Sequence, residues 1–240
     1  MSTRQTARRG HLGRVLLVVL VALVGLLVAA DRIGLAVAER TAAVTLQSSQ
    51  HLAQRPSVSI AGFPFLTQLA TGSFDSIHVT VRDLTVGQRS STQLRIARLD
   101  VTLRQVHVSR DFSSARSQFG TATALIDYSD LSHTLGATFT YAGNGRVQAV
   151  ASVGVIPGVS VPASAAAAVR VSGDSLTFND PRVTVAGQQV PPALAGYFNS
   201  LFGTSIPLTG LPFGVHVTGV RAASGGVTIT LSATGLTFRR

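Results

Sequence analysis

Ile77-His78-Val79-Thr80-Val81-Arg82 alternates apolar and polar residues without a break, and Leu99, Val101 and Leu103 alternate with Arg98, Asp100, Thr102 and Arg104 in the same way. A period of two turns the aliphatic set to one face and the polar set to the other, as in a half-buried strand. Towards the N-terminus, Val58 and Ile60 alternate with serines from Ser57. Phe63-Pro64-Phe65 ends that strand, and Leu66–Ala70 reads as a short helical turn before Gly72. Towards the C-terminus, the Ser-rich Arg110–Ser117 reads as a loop and Thr121–Ile126 as a strand. Asp127-Tyr128-Ser129-Asp130-Leu131 is a turn into a short helix. Asn144-Gly145, between Thr138–Tyr141 and Val147–Val153, is a two-residue hairpin signal. Further strands are expected at Ala165–Val171, Leu176–Phe178 and Arg182–Val185. Pro191-Pro192 then introduces a helix, Ala193–Phe202, stopped by Gly203. Two long strands, Val215–Arg221 and Val227–Ala233, close the chain across Ser224-Gly225-Gly226. Strand follows strand through short turns, which predicts a β-rich α+β fold with a mostly antiparallel sheet and two or three helices packed against it.

The N-terminal region follows a different rule. Residues 4–14 are basic and free of acids, and Val15–Ala30 is uninterrupted apolar sequence. Sixteen helical residues span roughly 24 Å, just short of a hydrocarbon core of about 30 Å. A positive segment ahead of an apolar one is the export pattern, with the arginines holding the N-terminus in the cytoplasm. Val28-Ala29-Ala30 and Ala36-Val37-Ala38 each fit a small-residue cleavage site, so residues 1–30 read as a signal peptide or a membrane anchor. Residues 31–240 form one domain on the outer side of the cytoplasmic membrane under either reading. Asp31–Gln54 is expected to be helical, with Ile33, Val37, Val44 and Leu52 as its apolar residues, alanines between them and Arg55-Pro56 as its stop.

Composition narrows the function. The 240 residues are 45% hydrophobic and 12% charged, with a mean hydropathy of +0.36. That is ample apolar material for a core and too little charge for a disordered polymer. With no cysteine, disulfides, thiolate metal sites and cysteine nucleophiles are excluded. All 20 basic residues are arginine, and the net charge is +10. Four of those arginines precede the apolar run, and the rest are spread singly along strands. A nucleic-acid module concentrates its basic residues on one element, so nucleic acid is not an expected partner.

Reactive constellations are scarce. His78, His107 and His216 fall at polar positions of strands, and no metal-ligand spacing or cofactor motif occurs. Asp127 and Asp130 form the one carboxylate pair worth weighing, and Asp at a helix start is usually a cap. The aromatics are more informative: Phe63, Phe65 and Phe213 lie beside prolines, while Tyr197, Phe198, Leu201 and Phe202 share one helix face. A packed core and an apolar groove use the same residue types.

Ser57-Val58-Ser59-Ile60-Ala61-Gly62-Phe63-Pro64-Phe65-Leu66-Thr67-Gln68, with Gly72 and Phe74-Asp75-Ser76-Ile77, resembles the signature of the LmeA-like phospholipid-binding family of actinobacteria. Ala30-Asp31-Arg32 after the leader, Tyr128-x-Asp130-Leu131, and Ile206-Pro207-Leu208-Thr209-Gly210-Leu211-Pro212-Phe213-Gly214 followed by Val220 extend the likeness over nearly the whole chain. The 105–120 segment departs from it, being short and rich in Ser and Arg. The resemblance implies an envelope-associated protein that binds phospholipid non-covalently and supports envelope lipid or lipoglycan metabolism. It also implies a tubular (TULIP-like) lipid-binding fold, a curved antiparallel sheet wrapped around a long helix. It supplies no catalytic residue, metal or cofactor. Phe63, Phe65, Leu66, Phe74, Tyr197, Phe198, Leu201, Phe202 and Phe213 are then the expected groove, with Arg82, Arg98 and Arg104 as expected headgroup contacts. Phospholipid and the membrane are the expected partners, with envelope glycolipid-synthesis enzymes behind them. The rival readings are an envelope hydrolase or transferase using Asp127 or Asp130 on a lipid-linked substrate, and a structural partner of envelope enzymes.

Overall fold

Two antiparallel sheets follow from the alternating segments, preceded by one long helix. The structure is a computed structural model, and it describes residues 9–86, 93–111, 113–156, 159–173, 175–184, 192–208 and 216–239. Helix α1 (Arg9–Ser49) leads to β1 (Ser57–Ala61), α2 (Phe65–Thr71), β2 (Ser73–Val86), β3 (Leu94–Val108) and β4 (Ser114–Ile126). Helix α3 (Tyr128–Leu135) precedes β5 (Thr138–Gly143), β6 (Arg146–Ile156), β7 (Val159–Ser172) and β8 (Ser175–Thr184). Helix α4 (Pro192–Gly203), β9 (Ile206–Pro207), β10 (His216–Ala223) and β11 (Gly226–Arg239) complete the chain. One sheet runs β1-β2-β3-β4-β11-β10 and curls into a half-barrel; the other runs β5-β6-β7-β8-β9. Where one sheet was expected there are two, because β5–β8 form a hairpin series whose strands pair only among themselves and with β9.

The curl has a local cause. Inward positions on β3 run Leu94, Ile96, then Leu99, Val101, Leu103, then Val106, so the alternation slips twice. One slip falls at Gln105, whose φ is 52°. Pairing skips Gln105 against Asp75 on β2 and against Gln118 on β4, and it skips Gln118 against Gly235 on β11, where φ is 64°. The register is the same on both sides of this line. A residue in the left-handed region breaks the pleat, so the next inward side chain comes three positions on instead of two. Left-handed residues at Gln105 on β3 and Gly235 on β11 set this break, which the pairing carries across all four strands and which bends the sheet. Asp83, with φ 54°, makes a second break opposite Ala97.

Inside the bend, side chains line up in rows. Val81, Leu99, Ala124 and Ile229 are cross-strand neighbours, as are Val79, Val101, Ala122 and Leu231. All eight are buried. Large residues on β2, β3 and β11 face small ones on β4, which lets the sheet close around that strand. At Gly120 the fit is close: a Cβ there would lie 2.9 Å from Leu236 Cδ1.

The expected strands and helices are present, but β2, β3, β7 and β11 run four to six residues beyond their expected limits. The Asn144-Gly145 turn has φ of 51° and 70°, both in the left-handed region that a tight hairpin requires. Gly72 and Gly136 cap α2 and α3 in the same region. Three further segments differ. Ser114–Ser117 belongs to β4 rather than to a loop, because it pairs with both Val106–Val108 and Leu236–Arg239. β8 continues through Pro181. The helix expected to end at Gln54 ends at Ser49, where His51 (φ 51°) turns the chain, the Leu52 N–H bonds the Gln47 carbonyl at 3.0 Å, and Leu52 is buried.

α1 is one unbroken helix through residue 30. Its apolar part is long enough to cross a membrane and none of it is buried. Beyond Ala30, burial follows a helical stripe: Asp31, Gly34, Leu35, Ala38, Glu39, Ala42, Ala43 and Leu46. Ile33, Val37 and Val44, read from the sequence as apolar residues of this helix, lie on the opposite, exposed face. The inward stripe instead carries the two acids, since each bonds a backbone N–H that needs an acceptor.

Candidate functional site

Three regions hold the expected site residues. The first is the junction of α1 and α2. Phe65 is buried and packs against Phe74, with ring centroids 6.3 Å apart. Phe63 and Leu66 point outward, 60% and 40% exposed. The Arg32 guanidinium lies over the Phe63 ring, 5.0 Å from its centroid. Asp31 Oδ1 accepts the Leu66 N–H at 2.8 Å, and Glu39 Oε1 accepts the Ile60 N–H at 2.8 Å. Both acceptors come from α1. α2 has Pro64 at its N-cap with no side-chain cap bond of its own, so Asp31 supplies from another helix what the local sequence lacks.

The second region is the aromatic cluster on the five-stranded sheet. Tyr197, Phe198, Leu201 and Phe202 come from α4, which packs on β6, β7 and β8. Phe202 lies edge-on to Phe139 at 6.1 Å and to Phe178 at 5.5 Å, and Phe198 packs on Phe202 at 6.3 Å. Phe198, Leu201 and Phe202 are buried, and Tyr197 is half-buried. The expected groove residues therefore fall into two separate aromatic sets within one continuous core. Phe213 lies outside the described residues.

The third region is the outer face of the half-barrel. Arg82 and Arg98 are direct cross-strand neighbours, and Arg104 pairs with Ser76 further along the same two strands. All three arginines are exposed, opposite the buried rows. Arg98 is bridged to Asp100 at 2.8 Å, and Asp100 also accepts the Thr80 hydroxyl at 2.8 Å.

The carboxylate pair separates. Asp127 occupies the N-cap position of α3 without a side-chain cap bond. Asp130, read as a cap, is nearly buried and faces Arg95, whose Nη1 lies 3.3 Å away and which also pairs with Asp83. These two carboxylates hold the Arg95 guanidinium even more firmly protonated than usual. An Asp130 engaged in this way links α3 to the sheet rather than standing free for acid–base work. The Tyr128 hydroxyl donates to the Ala223 carbonyl at 2.6 Å, and burial pushes its pKa up. Among the described residues, no three His, Asp or Glu side chains gather as a metal site would require.

Sequence reading did not single out Asp31, Arg32 or Glu39 as contact residues. The available signal was the two acids of the helix, eight positions apart and hence near one face, among apolar residues.

Comparison with known families matches residues 29–232 to the LmeA-like phospholipid-binding family. Neither the curated proteins nor the solved structures gave a match. The match starts at the end of the apolar run and takes in the α1–α2 junction, the half-barrel and the α4 cluster, so the chain belongs to the LmeA-like phospholipid-binding family.

Proposed function

We propose that this is an exported, envelope-associated phospholipid-binding protein, held at the outer face of the cytoplasmic membrane by α1 and supporting envelope lipid or lipoglycan metabolism. In this reading residues 1–30 are the leader or anchor and residues 31–240 the lipid-binding domain. The family match over residues 29–232 carries the reading. The curled sheet supports it physically, because the Val81 and Val79 rows across its inner face hold only aliphatic side chains and so suit acyl chains. Each buried methylene leaves water with a gain of about 0.8 kcal/mol, without fixed geometry. The tubular architecture, in which a sheet wraps a long helix, belongs to the same proposal.

The apolar walls are assigned to Phe65 and Phe74 at one end, with Phe63 and Leu66 on the outward rim, and to Tyr197, Phe198, Leu201 and Phe202 at the other; Phe213, expected in the same lining, lies outside the described residues. Arg82, Arg98 and Arg104 are the proposed phosphate contacts, guanidinium being suited to bidentate phosphate binding. The protein acts as a binder, not an enzyme. Native mass spectrometry of the full chain, with lipid extraction of the same sample, tests the reading. A stoichiometric phospholipid mass that is lost on denaturation is expected. A lipid-free mass with no uptake from phosphatidylglycerol vesicles overturns it.

A further inference from the structure

We propose that Phe63, Leu66 and Ile33 form an interfacial seat, which rests in the headgroup layer of the bilayer at the point where α1 leaves it. This seat depends on α1 acting as the membrane anchor described above. The apolar run ends at Ala30, and α1 continues without a break to Ser49. At 1.5 Å per residue, Ile33 lies about 5 Å beyond the end of that run. A bilayer that takes up Val15–Ala30 therefore brings residues 31–34 to its headgroup layer.

α2 is fixed to this same turn. Asp31 Oδ1 holds the Leu66 N–H at 2.8 Å, Arg32 stacks on Phe63, and a Cβ at Gly34 would lie 3.4 Å from Leu66 Cδ2. Phe63 and Leu66 thus sit at the depth of residues 31–34, although about thirty positions separate them in sequence. Scattered exposed hydrophobic residues are normal on any protein. These three differ because they adjoin a helix segment with none of its surface buried, and they extend its apolar surface onto the folded domain. Ile33 is 66% exposed and Phe63 60%.

Their neighbour has matching chemistry. An arginine on an aromatic ring keeps its guanidinium at phosphate height while the ring and the aliphatic side chains reach below it. Arg32 on Phe63 is such a pair. The occupant is therefore the lipid surface itself. The domain rests on the leaflet through α2, in addition to being tethered through α1.

The chain contains no tryptophan, so Phe63→Trp and Leu23→Trp, the latter at the middle of the apolar run, each create a single fluorophore. Each full-length variant is reconstituted into phosphatidylcholine–phosphatidylglycerol vesicles containing lipids brominated either near the headgroup or near the chain end. Leu23→Trp should be quenched more by the chain-end bromines. Phe63→Trp should be quenched more by the headgroup-side bromines, with a blue-shifted emission and protection from aqueous iodide. Leu66→Trp repeats the measurement from the adjacent exposed position. If Leu23→Trp is quenched while the tryptophans at 63 and 66 respond only to iodide, the anchor stands and the seat is overturned. If Leu23→Trp is not quenched by either lipid, the anchor reading fails and the seat fails with it.

Discussion

Asp31 and Leu66 are joined across 35 positions by a 2.8 Å hydrogen bond, through which a carboxylate on α1 caps the start of α2. Glu39 repeats the device eight residues on, accepting the Ile60 N–H of β1. Together they clamp the helix at two points, to α2 and to β1 at the edge of the half-barrel. The clamp leaves Ile33, Val37 and Val44 facing away from the sheet.

Replacing Asp31 with Ala should destabilise the domain by about 1–2 kcal/mol, since it strands a part-buried N–H at a helix start. Asp31→Asn retains an acceptor oxygen and should lose less than half as much. Glu39→Ala should lose about 1 kcal/mol. The double Ala variant should be additive to within roughly 0.5 kcal/mol, because the two acids share no partner. Urea unfolding followed by circular dichroism checks all four variants.

Arg95→Ala should lower the melting temperature, because it leaves the nearly buried Asp130 carboxylate without its cation while Oδ2 already lacks a hydrogen-bond partner. Arg95→Ala/Asp130→Asn should melt higher than Arg95→Ala alone, since it removes the uncompensated charge. Thermal melts of the single and double variants make the comparison.

Two glycines with almost the same φ should behave differently. At Gly145 a Cβ meets nothing within 4 Å, so Gly145→Ala should cost about 1 kcal/mol, the left-handed penalty alone. At Gly72 the Cβ would lie 2.6 Å from the Val108 carbonyl oxygen, in a turn where the Val108 N–H also bonds the Gly72 carbonyl at 2.8 Å. Gly72→Ala should cost about 3 kcal/mol. Denaturant midpoints measured on both variants will separate the steric cost from the conformational one.

Acid should loosen the β3–β4 turn late. The Ser109 hydroxyl, then the Ser113 hydroxyl and N–H, hold the Asp111 carboxyl at about 2, below its ordinary 3.8. A depressed carboxyl stabilises the fold above its unfolded pKa. That contribution is lost as pH falls through the folded value. The turn contacts should therefore be intact above pH 4 and disappear between about 4 and 2. An NMR titration of the Asp111 carboxyl carbon and the Ser113 amide reads this directly, and Asp111→Asn should abolish the response.

Aspartate at Phe63 or Phe65 is the obvious sequence-derived test of lipid contact, and the structure separates the two sites. Phe63 is exposed and should accept the change. Phe65, 1% exposed against Phe74, would bury a charge, so its loss of binding would report unfolding.

The sequence by itself determined the alternating centres of the long strands, the Asn144-Gly145 hairpin, the limits of α4 and the apolar N-terminal segment. Each of these is written in local rules: a period of two, a left-handed turn, a proline before a helix and a glycine after it, an apolar length. Tertiary structure alone decided that Asp31 and Glu39 face inward while Ile33, Val37 and Val44 face out. It also decided that the aromatics form two sets, that Asp130 meets Arg95, and that Ser114–Ser117 joins a strand. In an apolar helix both faces look fit for burial, and the choice falls to distant backbone N–H groups that need an acceptor. A strand rich in serine is likewise decided by the partners on either side of it, because its ladder bonds belong to the backbone and not to its side chains.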